Sequence, residues 1–328
     1  MRKLISLGTL ATASCLTLLA VPAYASDGPV LKIENFIGTV EIVTGDYNKI
    51  SITDADGANF SRSGNGLELN DDVSIRSYQC RYKKAGSSKE MPMVGKGKWS
   101  WTKGGKNYRN ISEYPLVKIT APANTHLEID KSIIFGAVGN IGSAHLHIGS
   151  CGDMVFGDVN GDLDLSISGS GDITLGSAGV SEISVSGAGD LIAGNLASAD
   201  ISVSGSGDLT LGNIAGFADI GSSGAGDVEI GNIGGGLNIH SSGASDLEVE
   251  SVTGGYLSIR VSGSSDVTIA GGSVDTLFIK ASGASDVTYN GSSVDAEARA
   301  NGASDIYIHN PSGNLRTSDS GAADVNIR

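Results

Sequence analysis

The sequence predicts an all-β fold, a parallel β-helix whose coils contain about 18–20 residues. A phrase of the form Ser-Gly-small-small-Asp, followed by apolar-x-apolar, occurs ten times, and 48 of the 328 residues are glycine. A unit this short cannot bury a core alone, so successive copies must stack as the coils of a solenoid. Helical coils are disfavoured because no 3.6-residue period occurs and glycine destabilises helices. The repeated aspartates are Asp153, Asp172, Asp190, Asp208, Asp227, Asp246, Asp266, Asp286, Asp305 and Asp324.

Two short strands are expected in each coil. Directly after each aspartate, an apolar–polar–apolar triplet such as residues 173–175 has the alternation of a strand with one buried face. A second apolar column lies seven residues ahead of the aspartate, as at Ile183, and weakens only at Ala298 and Thr317. Equivalent strands of successive coils should pair in parallel about 4.8 Å apart, with inward side chains stacked in columns.

The corner between the two strands carries glycine and aspartate. Glycine lies three residues before the aspartate in nine of the ten copies, which implies positive φ or close approach of stacked backbones. Each carboxylate could accept hydrogen bonds from N–H groups of the turn, as in an Asx-turn, or the stacked carboxylates could bind Ca²⁺. We favour the structural role, because one aspartate per coil departs from the nine-residue calcium-binding repeat, and we predict no metal site. The turn aspartates are Asp172, Asp190, Asp208, Asp227, Asp246, Asp266, Asp286 and Asp305.

The chain divides into a leader and one domain. Residues 1–25 have a basic start, an apolar stretch and an Ala23-Tyr24-Ala25 cleavage site, which together predict a secretory signal peptide. Residues 26–328 are expected to form a single β-helix domain, with irregular N-terminal coils over 26–75, a loop insertion over 76–115 and regular coils over 116–328. No later segment is apolar enough to span a membrane. We therefore expect an exported bacterial protein, in the periplasm or outside the cell.

The insertion is basic and aromatic, whereas the regular coils are acidic. Residues 76–110 hold ten basic residues, one acidic residue and both tryptophans, and residues 127–328 hold 25 acidic and 6 basic residues. The insertion either folds back on the solenoid and covers an exposed face, or it binds a cell-surface glycan or an envelope protein. Nucleic acid is not an expected partner of an exported, acidic chain. The ligand-binding candidates are Lys96, Lys98, Trp99, Trp101 and Lys103.

Two cysteines, Cys80 and Cys151, follow the predicted leader. In an oxidising compartment they could form a disulfide. Alternatively, Cys151 only fills a corner column in which the other copies have Ser or Ala. The sequence leaves both alternatives open, because pairing requires Cα atoms within about 7 Å of each other.

No catalytic centre is predicted, because the coils repeat one chemistry whereas polysaccharide cleavage needs converging unlike groups. We therefore expect no cofactor and a non-catalytic, adhesin-like binding or structural role in the cell envelope. The alternative is a carbohydrate-active β-helix enzyme, a polysaccharide lyase or hydrolase. One basic row is either a solvated ladder that balances nearby acids or a shallow anion-binding stripe. Its members share the position six residues before the aspartate: His147, His240, Arg260, Lys280 and Arg299.

The last coil ends on a strand at residues 325–328 with no capping helix behind it. An uncapped solenoid end exposes backbone groups and apolar columns. An end-to-end or edge-paired homo-oligomer is therefore an expected assembly.

Three features together resemble a known family. They are the exported start, the pairs Leu31-Lys32-Ile33 and Val40-Glu41-Ile42, and the phrase Ser-Gly-Ser-Gly-Asp at residues 168–172 and 204–208. They resemble the auto-transporter adhesin head domain, also called the head GIN domain, over nearly the whole chain beyond the leader. The resemblance implies a single-stranded, right-handed β-helix and an adhesin-like role, and it brings no established catalytic residues.

Overall fold

Residues 28–85, 89–96 and 108–328 are described by the computed structural model of the protein. They form a parallel β-solenoid of about 11 turns, which confirms the predicted fold class. The predicted signal peptide, residues 1–25, lies outside the described residues. None of the described segments forms a helix that is long and apolar enough to cross a bilayer.

The strands fall into three groups along the chain. Before the insertion lie β1 (Val30–Glu34), β2 (Ile37–Gly45), β3 (Ser51–Asp54), β4 (Phe60–Ser63) and β5 (Gly66–Asn70). The insertion contains β6 (Tyr78–Ala85), β7 (Lys89–Lys96) and β8 (Tyr108–Asn110), with short 3₁₀ turns at Ile75–Ser77 and Ile111–Glu113. The remaining strands are β9 (Leu116–Pro122), β10 (His126–Asp130), β11 (Ile133–Val138), β12 (Ser143–Ile148), β13 (Met154–Phe156), β14 (Leu163–Ile167), β15 (Ile173–Leu175), β16 (Ala178–Val185), β17 (Leu191–Ala193), β18 (Leu196–Val203), β19 (Leu209–Leu211), β20 (Ala218–Ser222), β21 (Val228–Ile233), β22 (Leu237–Ser241), β23 (Leu247–Gly263), β24 (Val267–Ile269), β25 (Gly272–Gly283), β26 (Val287–Tyr289), β27 (Ser292–Gly302), β28 (Asp305–Ile308), β29 (Leu315–Gly321) and β30 (Asp324–Ile327).

The regular coils stack in register, with apolar columns inside. In the longer strands, Leu165 of β14 pairs with Leu146 of β12 on one side and with Ile183 of β16 on the other. Both Leu165 and Ile183 are at most 1% exposed, and burial of such a side chain contributes about 1.5–3 kcal/mol. The short strands after each aspartate stack in the same way, as Ile173 does on Leu191.

A third inward column completes each coil, and the sequence reasoning had not identified it. It lies six residues after the aspartate and is joined by isolated bridges between consecutive coils. The coils are therefore three-sided, and the column closes the core on its third side. Its apolar members include Val159, Leu196, Ile214, Ile233 and Val252, each at most 2% exposed.

The corner glycines show both of the expected backbone features, in different coils. In the first regular coils the backbones approach closely, and a Cβ on Gly187 would overlap the carbonyl oxygen of Gly169 in the preceding coil. In the last coils the same position takes a positive φ, as at Gly283 with +94°. Larger side chains are excluded by overlap in the first case and disfavoured by backbone strain in the second.

The N-terminal coils are stacked out of chain order. Strand β1 lies between β5 and β10, and β2 lies between β9 and β11. Strands β5 and β9 therefore form the outermost coil of the stack, although they follow β1 and β2 in the chain. Antiparallel strands then cover this end of the solenoid, with β3 on β9 and β4 on β5. Ile50, which is fully buried, and Phe60 pack against the core there. The arrangement protects the parallel edges from further pairing.

The insertion contains a three-stranded antiparallel sheet, β6-β7-β8, where a loop without persistent strands was expected. One side of this sheet packs on the outside of the solenoid and forms a small second core. Val94 is fully buried there against Ile37, Ile133 and Phe135.

Candidate functional site

Of the five predicted ligand-binding residues of the insertion, Lys96 is described by the structure. Lys96 is the last residue of β7 and is exposed, with its Nζ atom 5.5 Å from the centroid of the Tyr78 ring. Lys98, Trp99, Trp101 and Lys103 lie outside the described residues. A second cation–π contact places the Arg81 guanidinium 4.4 Å from the centroid of the Tyr108 ring. The described part of the insertion thus presents cations and aromatic rings together.

A disulfide attaches the insertion to the solenoid. Cys80 of β6 is bonded to Cys151, and their Cα atoms are 6.1 Å apart. Cys151 is 2% exposed, whereas the residues at the same repeat position in the next coils, Ser170 and Ala188, are exposed. The side chains of this corner column therefore point outward, so crowding inside the coil does not explain why they are small. Cys151 is buried because the insertion covers it.

The aspartate column forms a ladder of hydrogen bonds between coils. The backbone N–H of Asp190 donates to Oδ1 of Asp172 at 3.1 Å, and that of Asp227 donates to Oδ1 of Asp208 at 3.0 Å. The donor belongs to the next coil, whereas an Asx-turn would draw it from the aspartate's own turn. Among the described residues, no group of three or more His, Cys, Asp or Glu side chains is arranged to hold a metal ion.

A second polar ladder lies at another corner and was missed in the sequence reasoning. The N–H of Asn213 donates to Oδ1 of Asn195 at 2.9 Å, and the N–H of Asn232 donates to Oδ1 of Asn213 at 2.8 Å. The signal in the sequence is a Gly-Asn pair that ends five residues after the aspartate, as at residues 194–195. Both ladders satisfy corner amides that would otherwise lack a partner within the sheet.

The basic row predicted from the sequence lies on one outward face of the solenoid. Consecutive coils pair His240 with Arg260, Arg260 with Lys280, and Lys280 with Arg299. This face is formed by the outward side chains of β12, β14, β16, β18, β20, β22, β23, β25, β27 and β29, and we call it the charged face. Four of the six basic residues in the span 127–328 lie on it, at Arg260, Lys280, Arg299 and Arg316.

Beside the basic row, the charged face carries a row of acidic residues on its earlier coils. Asp164, Glu182, Asp200 and Asp219 are paired in register on four consecutive coils. The sequence reasoning missed this row, although each member lies eight residues before a repeat aspartate. His145 approaches Asp164 at 2.7 Å. The charged face is therefore acidic in its first half and basic in its second.

A shallow groove of about 450 Å³ lies in the basic half. Lys280, Arg299 and Arg316 line it together with Glu297, which forms an ion pair with Arg299. Next to the groove, the Arg260 guanidinium lies 4.8 Å from the centroid of the Phe278 ring. This set of side chains suits the binding of an anionic group.

The sequence matches a known protein family. A family model described as "Putative auto-transporter adhesin, head GIN domain" matches residues 38–234 and 214–328. The two matched segments overlap over residues 214–234, a span of about one coil, as expected for a repeated unit. No curated protein matches the sequence.

Proposed function

Because the chain belongs to the family described as putative auto-transporter adhesin, head GIN domain, we propose that it is an exported, non-catalytic binding protein of the bacterial cell envelope. The observation that carries this proposal is the basic, aromatic insertion held on the outside of an acidic solenoid by the bond between Cys80 and Cys151. A segment attached in this way keeps its cations and aromatic rings in a defined place for a ligand.

The uniformity of the coils supports a binding role over catalysis. The corners repeat the same aspartate and asparagine ladders, and the charged face carries long rows of like groups. Hydrolysis of a glycosidic bond typically uses two carboxyl groups of different protonation state that flank the bond, and cleavage by elimination needs a positioned general base. Repetition of one chemistry along a row does not supply that asymmetry.

We propose an anionic cell-surface glycan as the ligand and the insertion as its binding surface. Residues 76–110 of the sequence contain ten basic and five aromatic residues. Cations pair with the carboxylate, sulfate or phosphate groups of such a glycan. Aromatic rings such as those of Trp99 and Trp101 pack against the apolar faces of sugar rings. The positive charge also attracts an anionic polymer over a distance.

A glycan array tests this proposal. The wild-type chain should bind anionic glycans, and binding should be lost when Trp99 and Trp101 are both replaced by Ala. Tyr256→Ala is the matched control, because Tyr256 is an exposed aromatic residue of the solenoid itself, 41% exposed. Release of new sugar ends from a polysaccharide would favour the enzyme alternative. Binding only to an envelope protein, or an unchanged array for the tryptophan variant, would contradict the proposal.

Export is tested separately by fractionation of cells that express the full chain. The protein should be found in the periplasm or outside the cell, shortened by a cut after Ala25. An uncut chain in the cytoplasm would contradict the envelope role.

A further inference from the structure

Two contiguous grooves cross β25, β27 and β29 at the end of the charged face. The first, which we call the basic groove, is the one lined by Lys280, Arg299 and Arg316. The second has a volume of about 340 Å³ and shares Glu297 and Arg316 with the basic groove. The other residues that line the second groove carry one aromatic ring, one carboxylate and one amide: Thr276, Leu277, Phe278, Asp295, Ala296 and Asn314.

The basic groove holds more positive charge than its own residues neutralise. Glu297 is the one acid among its lining residues, and it forms an ion pair with Arg299. Among the residues that the structure describes, Lys280 and Arg316 form no hydrogen bond or salt bridge, and both are exposed. Lys280 and Arg299 are paired in register on adjacent strands, where like charges repel each other. The groove therefore has an excess of two positive charges, which a dianion would balance.

The donors of the basic groove suit the oxygens of a phosphate group. The guanidinium groups of Arg299 and Arg316 present planar forks of N–H donors, which match phosphate oxygens in pairs. Lys280 supplies an ammonium group, Ser318 a hydroxyl and Asn301 a side-chain amide. A phosphate monoester carries up to two negative charges and three terminal acceptor oxygens near pH 7. A carboxylate carries one charge and two oxygens, so it would leave part of this groove unneutralised.

The second groove has the groups that a sugar ring needs. Asn314 holds the Asp295 carboxylate in place, since its backbone N–H and its side-chain amide both donate to Oδ1, at 2.7 and 2.9 Å. Among the described residues, nothing donates to Oδ2 of Asp295, so this atom is available to accept from sugar hydroxyls. The half-buried Phe278 ring offers apolar area beside it for the C–H groups of the sugar.

We propose that the two grooves together bind a phosphorylated sugar, with its phosphate in the basic groove and its ring in the second groove. Arg316 lines both grooves and contacts the phosphate where the ester joins the ring. The site is separate from the insertion, whose sheet packs on Ile37, Ile133 and Phe135 at the other end of the solenoid. The ligand is either a free sugar phosphate or the phosphorylated sugar of an envelope lipid, because both present the same chemistry.

Calorimetric titration at about 20 mM ionic strength tests the proposal with four soluble probes: glucose 6-phosphate, N-acetylglucosamine 1-phosphate, inorganic phosphate and glucose. At least one ester should bind more tightly than inorganic phosphate, and glucose should bind more weakly than either. Lys280→Gln and Arg299→Gln should each weaken binding of the ester by about fivefold or more, because each removes a charge beside the dianion. Glu297→Gln should tighten it by about threefold or more, because it removes the one acid and frees Arg299. A gain in affinity cannot come from misfolding.

The source of the phosphorylated sugar is distinguished by co-sedimentation with vesicles that contain diphosphoryl lipid A, compared with phosphatidylcholine vesicles. Binding of the soluble ester supports a free ligand. Binding of the lipid A vesicles alone, lost in Lys280→Gln and increased in Glu297→Gln, supports a lipid-bound one.

Lys49→Gln is the matched control, since it removes the same charge at an exposed position outside the charged face; this variant should bind like the wild type. A chain that binds neither the soluble esters nor the lipid A vesicles would overturn the proposal. So would esters that bind no more tightly than inorganic phosphate without any vesicle binding, weaker binding by Glu297→Gln, or a loss in Lys49→Gln as large as that in Lys280→Gln. None of these outcomes bears on glycan binding by the insertion, which the tryptophan variants test.

Discussion

The backbone N–H of Asp208 donates a hydrogen bond of 2.9 Å to Oδ1 of Asp190, one coil earlier in the solenoid. The next N–H in the column, that of Asp227, donates to Asp208 in turn. From Asp153 to Asp305, every described carboxylate of the column except that of Asp246 accepts a bond from the corner that follows it. The ladder links coils at the place where the short and long strands change direction, and it explains why the corner residue is an acceptor with a short side chain.

Replacement of Asp208 by Ala should lower the free energy of unfolding by about 1 kcal/mol, because the N–H of Asp227 loses its acceptor. Asp208→Asn keeps an acceptor oxygen and removes one of the stacked like charges, so its stability should equal or exceed that of the wild type. Asp324→Ala is the control, since no described hydrogen bond ends on the Asp324 carboxylate. Urea unfolding followed by circular dichroism measures all three. A loss for Asp208→Asn as large as that for Asp208→Ala would contradict the acceptor role.

Gly187→Ala should destabilise the solenoid by more than about 1 kcal/mol, because the new Cβ would overlap the carbonyl oxygen of Gly169. The matched control is Gly221→Ala, in the outward position of β20, where the nearest atom to an added Cβ is the carbonyl oxygen of Ile201 at 3.8 Å. The control should change stability by less than about 0.5 kcal/mol. Thermal unfolding midpoints compare the two. Equal midpoints would show that the coils can separate to accommodate a methyl group.

Replacement of Cys80 and Cys151 by Ser should loosen the insertion while the regular coils remain folded. The bond closes a loop with a sequence separation of 71 residues, for which the chain-entropy model gives a stabilisation of about 4 kcal/mol. Hydrogen exchange should become faster in β6, β7 and β8 and stay unchanged from β14 onward. Faster exchange throughout the coils would mean that the insertion supports the whole solenoid.

Stability should fall as the pH drops below about 6.5, through His126. Burial lowers the pKa of His126, and the charge of His145 lowers it further, while Glu128 opposes the shift. The unfolded chain therefore binds a proton at a higher pH than the folded chain, and stability is lost from about 6.5 down to the lowered pKa. His126→Gln should flatten this part of the profile, and His147→Gln should not. Unfolding free energies between pH 7.5 and 5 check this, and an unchanged slope for His126→Gln would refute it.

The stacked part of the fold can be predicted from the sequence because its rules are local and repeated. Asp172 and Asp190 mark equivalent corners, and the apolar positions around them show which side chains point inward. The charged rows follow from the same alignment. The row of Asp200 was missed because several outward columns of the repeat are polar and nothing in the sequence distinguishes this one. The change of charge sign along the charged face became apparent once the register placed Asp200 and Lys280 on the same face.

The N-terminal end and the insertion could not be predicted in the same way. The position of β1 between β5 and β10 depends on pairings far apart in the chain and on no period. The sheet of the insertion depends on contacts with Phe135 and Cys151 on the outside of another coil. Such contacts leave no repeated pattern in the sequence.

The stacking of coils in register is tested most directly by distances between spin labels placed along one outward row. Ser166, Ser184, Arg299 and Ser318 occupy the same row of the charged face. Pairs of introduced cysteines at 184 and 299, 184 and 318, and 166 and 318 are six, seven and eight coils apart. Double electron–electron resonance should give backbone separations of about 29, 34 and 38 Å, an increase of about 4.8 Å for each coil. Distances that do not increase in this order would contradict the solenoid.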